Sequence, residues 1–96
     1  MANFTTRVEL YGSPTWDDYD RLHTAMAKEG FNRTIQWEGD NVVYQLPHAE
    51  YNRSCDSETD VILASAVKAA STVWKDFGVL VTKADDGRRA HNLKPA

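Results

Sequence analysis

Phe4-Thr5-Thr6-Arg7-Val8-Glu9-Leu10-Tyr11 is the stretch that decides the fold class. Phe4, Thr6, Val8 and Leu10 alternate with Thr5, Arg7, Glu9 and Tyr11. That period of two is the pattern of a strand with one buried and one polar face. Gly12-Ser13-Pro14 breaks it, and a helix follows from Pro14 or Thr15 to Lys28. Ser13 before Pro14, or Thr15 with Asp18 three residues on, supplies its N-terminal cap. Asp17, Asp18 and Asp20 complement the helix dipole. Trp16, Tyr19, Leu22, His23, Met26 and Ala27 recur at helical spacing as one apolar stripe, and Gly30 ends the helix.

Working outward, Phe31 to Trp37 reads as a second strand, Glu38-Gly39-Asp40-Asn41 as a tight turn, and Val42 to Tyr51 as a third strand closing a hairpin. Pro47 lacks an amide hydrogen and marks a bulge or an edge within that strand. Asn52 to Glu58 is polar and reads as a loop, with Ser57 and Asp60 as a capping-box variant. A second helix is expected from Glu58 to Lys75, with Ile62, Ala66, Ala69, Val73 and Phe77 on its inner stripe. Val79 to Lys83 is a short apolar strand, Ala84-Asp85-Asp86-Gly87 a turn, and Arg88 to Leu93 an optional returning strand before a frayed Lys94-Pro95-Ala96. The order βαββαβ is that of an α+β, ferredoxin-like antiparallel sheet with two helices on one face and a C-terminal hairpin strand as an optional addition. Right-handed crossovers place the first and third strands centrally and leave the other sheet face open.

At 96 residues the chain is one domain, 1–96. Its 42% hydrophobic and 26% charged residues exclude intrinsic disorder, and its apolar runs are too short for a membrane span. The N-terminus shows no signal peptide, and the lone Cys55 cannot form an internal disulfide, so a reducing cytoplasm is the expected setting. The sequons at Asn3, Asn32 and Asn52 are then chance matches. One Cys and three scattered His assemble no tetrahedral metal site without help from carboxylates, and no phosphate loop, dinucleotide fingerprint or nucleophile elbow occurs, so no cofactor is expected.

The residues left for chemistry are few. His48 and Glu50, two apart on a strand, share a face and read either as an acid–base pair or as a solvated one. His23 reads as a general base or as a core-margin side chain. Arg33, Arg53, Arg88 and Arg89 are candidate phosphate contacts, because a guanidinium fork pairs with phosphate oxygens, and Tyr51 is a candidate base-stacking ring. A formal net charge of −3 weighs against a broad nonspecific nucleic-acid surface. Cys55, between Ser54 and Asp56, lacks the positive surroundings that activate a thiol.

Asn-Phe-Thr-Thr-Arg-Val-Glu-Leu (3–10), Trp-Asp-Asp-Tyr-Asp-Arg-Leu-His (16–23), Met-Ala-Lys-Glu-Gly-Phe-Asn-Arg-Thr-Ile (26–35), Tyr-Gln-Leu-Pro-His-Ala-Glu-Tyr (44–51) and Val-Leu-Val-Thr (79–82) carry a resemblance over nearly the whole chain. They resemble the GhoS-type endoribonuclease antitoxins of type V toxin–antitoxin systems and related small bacterial and phage proteins. The resemblance implies a ferredoxin fold similar to that of small CRISPR-associated nucleases, and cleavage of the messenger RNA of a membrane-acting toxin. No catalytic residue transfers with it, and Leu10-Tyr11-Gly12 lacks the aspartates that would hold a metal at the end of the first strand. Two functions follow as expectations. One is an RNA-cleaving or RNA-binding antitoxin acting on single-stranded RNA, with His48 as general base and Arg33, Arg53, Arg88, Arg89 and Tyr51 holding the strand. The other is a noncatalytic module, of bacterial or phage origin, that docks a protein partner through a sheet face or edge. Exposed edge strands also suggest a homodimer.

Overall fold

The first strand, β1 (Ala2–Leu10), is the spine of the molecule. The computed structural model of the chain describes residues 2–85 and 87–96; Asp86, within the turn expected after the last strand, lies outside them. β1 pairs antiparallel on one side with β5 (Phe77–Lys83), from Phe4↔Lys83 to Leu10↔Phe77. On its other side it pairs antiparallel with β4 (Glu50–Cys55), from Ala2↔Cys55 to Arg7↔Glu50. β2 (Thr34–Ile35) and β3 (Tyr44–Gln45) form a separate two-residue ladder. A reciprocal Asn32–Asn52 bridge, with N···O distances of 2.8 and 2.7 Å, lays the chain entering β2 along the outer edge of β4. The ferredoxin-like order is therefore kept, with the outermost pairing reduced to one bridge.

Helices α1 (Trp16–Lys28) and α2 (Thr59–Ser71) cover one face of the sheet. As the alternation requires, Phe4, Thr6, Val8 and Leu10 are all buried beneath them. Leu22 and Met26 enter this core from α1, and Ile62, Ala66, Ala69 and Ala70 from α2. The small alanines let α2 lie close to the strands. Thr15 and Asp18 form a reciprocal capping box on α1, and Arg21 pairs with Asp18. Gly30, at φ 90°, closes α1: the Gly30 amide donates to Ala27 O and the Phe31 amide to Met26 O, and Phe31 tucks into the core.

Several local expectations give way. The expected 42–51 strand is split by Pro47 and by Ala49 at φ 61° into β3 and β4. The polar run 52–55, expected as a loop, is strand: Asn52 pairs with Thr5 and Arg53 with Phe4. The second strand contracts from 31–37 to two residues. α2 stops at Ser71 rather than Lys75, with Thr72 Oγ1 donating to Ala69 O, and its N-cap Glu58 makes no side-chain cap. Trp16, expected on the buried stripe, is 75% exposed.

The C-terminal segment differs most. Residues 88–93 form no strand. Lys94–Ala96, expected to fray, are tied to the β3 region, because Gln45 N–H donates to Lys94 O and Ala96 N–H to Val43 O, both at 2.8 Å. The segment crosses the sheet face expected to be open and covers Thr5 and Asn52, while Arg7, Glu9 and Leu80 stay exposed.

Candidate functional site

Pro47-His48-Ala49 is a tight turn at the mouth of β4. Glu50 N–H donates to Pro47 O (3.1 Å), and Val8 N–H donates to the buried Ala49 carbonyl (3.1 Å), which fastens the turn to β1. Arg33 Nη1 donates to both Pro47 O (2.8 Å) and Glu50 O (2.6 Å) and so bridges the two ends of the turn. His48 thus projects from a braced backbone, and its side chain remains exposed.

The α1 residues 16, 19 and 23 lie on one helical stripe and meet this turn. The His48 ring centroid is 4.3 Å from that of Tyr19, 5.1 Å from Trp16 and 6.2 Å from His23, each pair meeting edge to face. The Tyr19 hydroxyl accepts from Leu10 N–H (3.1 Å), which fixes that ring. His23 Nδ1 lies 2.6 Å from the Tyr51 hydroxyl. Tyr51 is fully buried, and the Arg33 guanidinium carbon sits 5.7 Å above its ring.

The charges of the site bias both imidazoles toward neutrality. Burial holds the His23 pKa below its ordinary value, and Arg33 and His48 add to the effect. His48 is lowered in the same way, by burial and then by Arg33 and Arg7. Burial pushes the Tyr51 phenol well up, so Tyr51 keeps its proton across the physiological range. A positive charge on His48 adds to the forces that keep His23 neutral.

Of the residues singled out from sequence, His48, Arg33 and Tyr51 come together here. Tyr51 does so as a buried hydrogen-bonding partner, with no ring face free for stacking a base. His48 and Glu50 do not share a strand face, because the turn separates them. Arg53 lies two residues along β4 from Tyr51, with its guanidinium carbon 5.2 Å above Phe31 and its buried Nη1 without a hydrogen-bond partner among the described residues. Arg88 and Arg89 belong to the opposite sheet face. Arg88 Nη1 donates to Asn52 Oδ1 (2.7 Å) and Thr5 Oγ1 (3.1 Å), Trp37 Nε1–H donates to Arg88 O (2.9 Å), and Arg89 Nη1 donates to that same carbonyl (2.9 Å). These contacts roof a cleft of about 360 Å³ between the β2–β3 hairpin and the C-terminal segment.

Sequence reasoning did not join His23 and Trp16 to His48. The only signal was Pro47, whose turn swings His48 back over α1. Among the described residues no three His, Cys, Asp or Glu side chains are grouped to hold a metal, and no helix is long and apolar enough to cross a membrane. Comparison with protein-family models, with curated proteins and with solved structures returns no match for this chain.

Proposed function

We propose that the chain binds and cleaves single-stranded RNA, with His48 and His23 as the acid–base pair and Arg33 as the phosphate-polarising cation. The observation that carries this reading is the 6.2 Å separation of the two imidazole centroids beside a guanidinium, a spacing one phosphoryl group can bridge. Tyr51 sets the roles. Its hydroxyl, 2.6 Å from His23 Nδ1, accepts from Nδ1–H of the imidazolium and keeps that hydrogen bond when Nε2 gives up its proton. His23 is therefore suited to donate and His48 to accept.

In the proposed step His48 removes the proton of a ribose 2′-hydroxyl, and that oxygen attacks the adjacent phosphorus. The P–O5′ bond breaks, His23 protonates the leaving oxygen, and the products are a 2′,3′-cyclic phosphate and a 5′-hydroxyl. Exchange with water returns the pair to its starting protonation. Arg33, with Arg7 nearby, stabilises the charge gained by the phosphoryl oxygens. The resemblance to GhoS-type antitoxins gives this activity a proposed setting, in which the substrate is a toxin messenger RNA in the cytoplasm.

The test is incubation of purified protein with end-labelled single-stranded RNA, with and without EDTA. Cyclic-phosphate products that persist in EDTA and vanish in His48→Ala support the proposal; intact RNA at low salt overturns it.

One observation favours a second reading. Among the described residues β5 has a strand partner on one side only, and its Leu80 is 67% exposed. A noncatalytic module could add a partner strand there, including a second copy of this chain. A monomeric mass at tens of micromolar protein in light scattering would count against the homodimeric form.

A further inference from the structure

Trp16 occupies the first turn of α1, immediately after the Thr15 cap, and is 75% exposed. Tyr11, the next most exposed large aromatic among the described residues, is 45% exposed. Nothing in folding calls for a tryptophan here. A Trp left in water forgoes most of the burial that makes the residue favourable in a core, and the first helical position does not select for it. Its surroundings are nonetheless fixed. The capping box sets the backbone, and the ring meets His48 edge to face at 5.1 Å and 75°. In that geometry at least one face of the indole is left to solvent, directly beside the imidazole assigned as base.

We infer that Trp16 is a nucleobase subsite, on which the base flanking the scissile phosphate stacks. The inference rests on the proposed RNA cleavage and adds the feature that would position the strand. Charge gives the strand its direction. Asp17, Asp18 and Asp20 follow Trp16 along the helix and repel phosphates, whereas Arg7 and Arg33 act on His48 from β1 and from the segment before β2. A stacked base, which is uncharged, is tolerated at the acidic end, and its phosphate is drawn across His48 toward the arginines. Stacking on one ring discriminates weakly among bases, so the subsite requires an unpaired strand more than a particular sequence.

The test compares wild type, Trp16→Phe and Trp16→Ala on a short single-stranded RNA, and on the same RNA made abasic at successive positions. Circular dichroism confirms that the variants are folded. Trp16→Ala should raise KM roughly five- to hundredfold with kcat largely kept, with Trp16→Phe between. At one abasic position wild type and Trp16→Ala should become equal. Unchanged KM in Trp16→Ala, with wild type cleaving normally, overturns the subsite and leaves the cleavage proposal standing. A fall in kcat alone also overturns it, since the ring would then only hold His48. Wild type that neither binds nor cleaves RNA overturns both.

Discussion

Each side of the sheet carries an arginine in contact with an aromatic side chain, Arg33 with Tyr51 and Arg88 with Trp37, and the two are used differently. At the Pro47–Ala49 turn, Arg33 braces the backbone through Nη1, while His48 and Trp16 remain exposed around it. On the opposite face, Arg88 is bonded to Thr5 and Asn52, and its carbonyl takes the Trp37 indole N–H and the Arg89 guanidinium. The first arrangement leaves groups able to exchange protons beside a cation. The second holds a chain segment in place. Positive charge counted along a sequence is therefore not the same as positive charge available to a ligand.

Substitutions on the two faces should separate in kind. The largest effect belongs to the turn: His48→Ala should reduce RNA cleavage about 10²–10⁴-fold with RNA binding largely kept. Equal activity in the variant would break the assignment of the turn as the reactive face. On the other face, Arg88→Ala should lower stability by about 1–2 kcal/mol, since it removes two charge-assisted hydrogen bonds at a half-buried position. That should appear as a fall in Tm with kcat unchanged, while Arg89→Ala, at an exposed side chain, should leave Tm almost in place. A loss of RNA binding in Arg88→Ala without any fall in Tm would reverse the roles given to the two faces.

A smaller effect should follow pH. The folded-state pKa of His23 lies below its unfolded value, so the unfolded chain takes up a proton first on acidification. Stability present above about pH 6.5 should be lost as pH falls through that value toward the folded-state pKa. Part of this acid sensitivity should disappear in His23→Gln. A Tm that falls identically in wild type and variant would show that His23 is not held neutral by the fold.

The sheet and helices were legible where one local rule dominates. Phe4, Thr6, Val8 and Leu10 announce the inner face of β1, and Thr15 with Asp18 announces the start of α1. The 52–55 strand was hidden because Asn52 and Ser54 are polar for a nonlocal reason: Asn52 receives Arg88, and Ser54 bonds Asn3 on β1. The C-terminal segment was hidden in the same way, since its partners, Trp37 and Gln45, lie about 50 residues earlier in the chain. His48 was legible as half of a pair with Glu50, and Arg33 as one of four candidate phosphate contacts. Their meeting with His23 was hidden because Trp16, Tyr19 and His23 share the helical spacing of Leu22 and Met26, and only the Pro47 turn decides which of these residues face the core and which face His48.

The central claim is that His23 and His48 work as one acid–base pair, and NMR titration of the imidazole rings tests it most directly. In wild type both should titrate below the ordinary imidazole value, and His48→Ala should raise the His23 pKa by removing a neighbouring positive charge. Two independent titrations at ordinary values, with His23 unmoved by the loss of His48, would contradict it.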